Sequence, residues 1–97
     1  MKTIDEFKNI LERHKQELKE RFKVNEIGIF GSYVRSEQTE ESDVDILVSF
    51  NEPIDFFLFL DLEEYLSNLI GVKVDLVMKR ALKPSIGGSI LEETVYV

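Results

Sequence analysis

Ninety-seven residues suffice for one domain with a real core and are too few for two, so we expect a single domain over 1–97. Hydrophobic residues make up 43% and charged residues 32% of the chain, which excludes wholesale disorder; a net charge of −7 excludes a nonspecific binder of nucleic acid. The absence of cysteine removes disulfide frameworks and thiolate metal sites, and the longest apolar run, 56–60, is far too short to span a bilayer.

A charged N-terminal helix in place of a signal sequence fits a cytoplasmic protein with no membrane partner. Thr3 and Glu6 read as a capping box, and Ile4, Phe7, Leu11, His14 and Leu18 recur at helical steps, with Ile10 widening the stripe. The spacing predicts one amphipathic helix to about Phe22. Residues 24–30 are rich in β-branched side chains and predict a strand ending at Gly31, with Asn25 and Glu26 blurring its start. A short helix follows from Ser32 to Arg35 or Ser36, then a polar, acidic loop over 37–42.

The clearest strand is 43–50. Alternation places Asp43, Asp45, Leu47 and Ser49 on one face and Val44, Ile46, Val48 and Phe50 on the other. Both faces turn apolar beyond Asp45, so this strand is expected at the centre of the sheet, covered on both sides. Asn51, Glu52 and Pro53 break it, and Asp55 caps a helix running to about Ile70 with a broad apolar face, Phe56 to Phe59 being assigned to the core; Gly71 stops that helix. Residues 72–78 alternate again, with Asp75 amid apolar neighbours, a placement that costs free energy unless the carboxylate is paired or binds a metal. Pro84 opens a last helix with Ile86, Ile90 and Leu91 facing inward and Glu92 and Glu93 outward. Gly87 and Gly88 weaken it by roughly 1 kcal/mol each. The apolar end, 94–97, predicts a docked tail or a contact surface.

Two stretches carry chemistry. A strand ending at Gly31 and a helix opening at Ser32 would aim unpaired N–H groups at an anion, with a hydroxyl beside them; an ordinary strand-to-helix turn with a capping serine makes the same pattern. Asp43 and Asp45, two residues apart on one strand face, form an oxygen-only ligand pair suited to magnesium or manganese, although acidic residues at a loop-to-strand junction also occur without function. If the strand of Asp75 lies beside that of Asp45, three carboxylates converge, an arrangement that holds two cations for in-line attack at phosphorus. Asp75 would then bind the second cation and act as base for the attacking hydroxyl. Like charges so close raise one another's pKa, which a metal offsets. Arg35 is either a phosphate contact or a solvated arginine beside the acidic loop. His14 has no partner at metal spacing and is assigned to packing.

Gly31-Ser32, a ten-residue spacer, Asp43-x-Asp45 and a later Asp75, together with the FGSYVR start and the LKPSI…ILEETVYV tail, closely resemble the polymerase-β-like nucleotidyltransferase superfamily, in particular its minimal nucleotidyltransferase (MNT) domains. The resemblance runs over nearly the whole chain. It implies an α/β fold, a small mixed sheet flanked by helices that carries the three aspartates, and transfer of a nucleoside monophosphate from an NTP to a hydroxyl with release of pyrophosphate. It implies Mg2+, two ions, with Mn2+ as an alternative; Gly31, Ser32 and Arg35 at the nucleotide, and Asp43, Asp45 and Asp75 at the metal and the chemistry. Members of this size are commonly paired with a HEPN-domain ribonuclease toxin, and several are antitoxins that transfer AMP from ATP to a toxin tyrosine, as a homodimer or a hetero-oligomer with the toxin. The alternatives are a catalytically inactive module that neutralises its partner by occlusion, and nucleotidyl transfer to a small molecule, for which so short a chain lacks an acceptor domain.

Overall fold

The computed structural model describes residues 3–97, apart from the side chain of Ile86. Thr3 accepts the Glu6 N–H at 3.4 Å and opens α1 (Ile4–Arg13). The single N-terminal helix expected from the periodicity is two, because α2 (Lys15–Phe22) begins after a break at His14. The cause is local: the ring Nδ1 of half-buried His14 donates to the Ile10 carbonyl at 2.9 Å, while the His14 backbone N–H turns to Leu11 O at 3.1 Å. The ring thus takes the acceptor the next helical turn requires.

Four strands form a mixed sheet in the order β3-β2-β1-β4: β1 (Val24–Phe30), β2 (Val44–Phe50), β3 (Val74–Met78) and β4 (Val95–Tyr96). β1 runs antiparallel to β2 and β4, and β2 runs parallel to β3. The register slips between Val24 and Glu26, a bulge that accounts for the blurred start of β1. β2 lies inside the sheet, and Val44, Ile46, Leu47 and Val48, drawn from both faces, are at most 1% exposed, as its two apolar faces require.

One face is the core. Ile27, Ile29, Val44, Ile46, Val48, Val74 and Leu76 pack against Phe7, Leu11, Leu18 and Phe22 of α1 and α2 and against Leu62, Leu66 and Ile70 of α3 (Phe56–Ile70). Asp55 caps α3 by accepting the Leu58 N–H at 2.8 Å, and Gly71 ends it in the left-handed region at φ 76°. α3 also guards the open edge of β3: the Val74 N–H donates to the Ser67 hydroxyl and the Leu76 N–H to the Glu63 carboxylate. The buried stripe of α3 steps through Leu62, Leu66 and Ile70 and leaves its first turn outside. Phe56 and Phe57, expected in the core, are therefore 67% and 76% exposed.

The other sheet face carries a different set. Phe30, Asp45 and Asp75 lie in one row across β1, β2 and β3, and Gly28, Leu47 and Val77 in the next. After β3, residues 79–81 form a 3-10 turn that leads to α4 (Pro84–Glu93), and the tail docks as β4 beside β1, with the Val97 N–H on Ile27 O at 2.9 Å. Leu91 is exposed rather than inward, Ile90 is half-buried, and Glu93, expected outward, is half-buried and turned in. The orientation expected of Ile86 falls outside the described residues. Among the described residues no helix is long and apolar enough to cross a membrane.

Candidate active site

The short helix expected after Gly31 is a single 3-10 turn, Gly31–Tyr33. Its orientation is set from the core side. Tyr33 is 4% exposed and meets the Phe7 ring edge-on at 5.0 Å, which fixes the turn against the core; Gly31 lines the cleft with Asp45 and Asp75, whereas half-buried Ser32 is not among its lining residues. Gly31 sits at φ 80°, in the left-handed region, and a Cβ added there would lie 2.0 Å from Asp45 Oδ2 and 2.9 Å from Asp45 Cγ. Conformation and space both demand glycine. One 3-10 turn has little macrodipole, so any attraction for an anion rests on individual N–H groups and side-chain cations.

The sheet register brings the two most distant acidic positions together. Asp45 and Asp75 are paired residues of parallel strands, so their side chains leave the same face side by side. Asp43, one residue before β2, shares that face by alternation but stands exposed at the rim, where Lys73 Nζ is 4.0 Å from its Oδ2. Asp75 is exposed; the desolvation cost expected for a carboxylate in an apolar strand does not arise, because only the neighbouring residues of β3 face the core. Asp45 is half-buried. Burial, then the charges of Asp75 and Asp43, push its carboxyl above the usual carboxylate range, with Glu93 adding to the rise and Arg35 opposing it.

Gly31, Arg35, Asp45 and Asp75 line one cleft, whose far wall is Leu82, Lys83, Ile90 and Glu93. Arg35 lies past the 3-10 turn, its N–H on Gly31 O at 3.2 Å. Its side chain is committed to carboxylates: Nε donates to Glu37 at 2.8 Å, and one terminal nitrogen donates to both oxygens of Glu93 at 3.1 and 3.0 Å. Glu93 Oε1 also accepts the Gly31 N–H at 3.1 Å. Glu93 is the residue the sequence reading missed. The signal was there: position 93 follows Ile90 at i+3, and both residues line the cleft.

Among the described residues no three acidic or histidine side chains stand close enough to hold one ion together. The donor set still fits a hard divalent cation. Magnesium typically keeps several waters and takes one or two carboxylates plus substrate phosphate, and the mutual repulsion felt at Asp45 is what a cation relieves.

A nucleotidyltransferase-domain profile matches residues 11–97. The protein adenylyltransferase MntA of Thermococcus cleftensis is 57% identical over 97 residues, covering 100% of this chain and 98% of that one. A chain of Methanocaldococcus jannaschii, provisionally named a protein adenylyltransferase, is 59% identical over 98 residues with both chains covered in full. Among solved structures, one provisionally assigned as a minimal nucleotidyltransferase superposes with a TM-score of 0.74 at 32% identity, over 92% of this chain and 93% of that one. A toxin–antitoxin structure crystallised with AMP-PNP superposes at 0.70 and 25% identity, over 88% and 70%. Sequence, fold and the cleft agree, and the chain belongs to the nucleotidyltransferase domain family.

Proposed function

We propose that this nucleotidyltransferase acts, as one catalytic domain in the cytoplasm, by transferring AMP from ATP to a tyrosine hydroxyl of a HEPN-type toxin and so works as an antitoxin. The observation that carries the reading is the register pairing of Asp45 with Asp75 on the sheet face whose cleft Gly31 and Arg35 also line. The names of the relatives, protein adenylyltransferases, support the donor and the class of acceptor. The toxin–antitoxin neighbour with AMP-PNP supports a nucleotide and a protein partner.

In this reading Gly31, Ser32 and Arg35 receive the triphosphate, and Asp43, Asp45 and Asp75 are shared between two Mg2+ ions rather than gathered on one. The cation would supply charge neutralisation at the phosphates, the part of the work this acidic cleft cannot do by itself. The acceptor oxygen attacks the α-phosphorus, the bond from that phosphorus to the bridging oxygen breaks, pyrophosphate leaves, and Asp75 takes the hydroxyl proton.

The test is incubation of the purified chain with its toxin partner, ATP and MgCl2, followed by intact mass of the toxin. A gain of one or more AMP units is expected, lost on chelation of the metal and in Asp43→Asn and Asp45→Asn. Undiminished transfer by either variant overturns the site assignment, and protection of the cell from the toxin without any mass gain overturns the activity.

A further inference from the structure

An anion already sits in the place the proposed function gives to phosphate. The carboxylate of Glu93 takes the Gly31 N–H and bridges to Arg35, the N–H and the cation that would meet a nucleotide, and its side chain is only 23% exposed. Gly31 has one N–H and Glu93 holds it, together with one terminal nitrogen of Arg35, so an anion bound at those two donors must displace Glu93. The element that delivers Glu93 is lightly held. α4 lacks a side-chain N-cap and contains Gly87 and Gly88, and a Cβ at Gly88 would meet nothing within 4 Å. Beyond it β4 contributes two residues to the sheet. Lys83 stands in the same cleft, so withdrawal of Glu93 would leave Arg35 and Lys83 facing Asp45 and Asp75. Removing one negative charge from so acidic a cleft lowers the barrier to a polyphosphate.

We propose that Glu93 is an autoinhibitory plug: in the nucleotide-free protein its carboxylate closes the Gly31–Arg35 cradle, and a triphosphate binds by displacing it together with the end of α4. This rests on the reading of the cleft as a nucleotide site. The apparent affinity for triphosphate is then the intrinsic affinity reduced by the fraction of molecules with the plug withdrawn.

The experiment measures binding of ATP with MgCl2, of inorganic tripolyphosphate and of adenosine by calorimetry, to the wild-type chain, Glu93→Gln, Glu93→Ala and, as a control, the exposed neighbour Glu92→Gln. Glu93→Gln keeps the shape and removes the charge, and circular dichroism checks that each variant is folded. Both Glu93 variants should bind ATP and tripolyphosphate about three- to tenfold more tightly than wild type, with adenosine binding and the Glu92 control unchanged. Hydrogen exchange on wild type should speed up over 84–97 when ATP is added, and Glu93→Ala should show the faster exchange already without nucleotide. Equal or weaker triphosphate binding by the Glu93 variants, in a wild type that binds ATP, overturns the plug and makes Glu93 a positioning residue for Arg35. If neither wild type nor variants bind a triphosphate, the nucleotide reading of the cleft fails and the plug with it.

Discussion

Replacing Gly31 with alanine tests how closely the turn and the central strand are built around each other. The backbone at φ 80° costs an L-residue about 1–2 kcal/mol. The added Cβ then meets Asp45 Oδ2 at 2.0 Å, Cγ at 2.9 Å and Cβ at 3.1 Å. Rotation about the terminal torsion moves the oxygen but not Cγ, so the whole Asp45 side chain must leave its rotamer or the turn must shift, at about 1–3 kcal/mol. The sum, roughly 2–5 kcal/mol, lowers the melting temperature by about 4–8 °C per kcal/mol in a domain of this size. A double-mutant cycle separates the two contributions. In an Asp45→Ala background the contacts with Oδ2 and Cγ are gone and the Cβ contact at 3.1 Å stays, so Gly31→Ala should cost about 1–2 kcal/mol there, and the pair should couple by about 1–3 kcal/mol in urea unfolding. Additivity within about 0.5 kcal/mol would refute the packing of Gly31 on Asp45.

Asp45→Asn should raise thermal stability at neutral pH in metal-free buffer. The wild-type carboxyl is raised in the folded state, so its ionisation opposes folding above the unfolded-state pKa, and the advantage of the variant should fade as pH falls through the raised value. A variant less stable than wild type at pH 7 would contradict this. Gly28→Ala sets a Cβ 2.6 Å from Thr94 Cγ2 and 3.1 Å from Val95 O; it should detach β4, read as fast hydrogen exchange over 94–97 with the rest of the sheet protected. Leu66→Ala, at a fully buried position in α3, should cost about 2–5 kcal/mol in urea unfolding, whereas Phe57→Ser, at a position 76% exposed, should stay within about 0.5 kcal/mol.

Much of the architecture could be read along the chain because local patterns and tertiary packing agree. Alternation in 43–50 identified an interior strand, Asp55 and Gly71 bounded α3, and of the Gly31-Ser32 and Asp43-x-Asp45 pairs Gly31 and Asp45 line one cleft, whereas Ser32 and Asp43 are not among its lining residues. The misses share a cause. His14 broke the first helix through a ring-to-carbonyl hydrogen bond that periodicity does not register, and Phe56 and Phe57 were assigned to the core because apolar character does not say where the neighbouring sheet ends.

The sequence by itself determined which residues of the central strand alternate together and where α3 starts and stops, since these follow from backbone period and capping chemistry over a few residues. Only the tertiary structure decided that Asp45 and Asp75 are cross-strand partners, that Asp43 stands at the rim beside Lys73, and that the carboxylate of Glu93 accepts from both the Gly31 N–H and Arg35. Those depend on strand order, register and the docking of α4 between residues 30 to 62 positions apart, distances over which no local propensity acts.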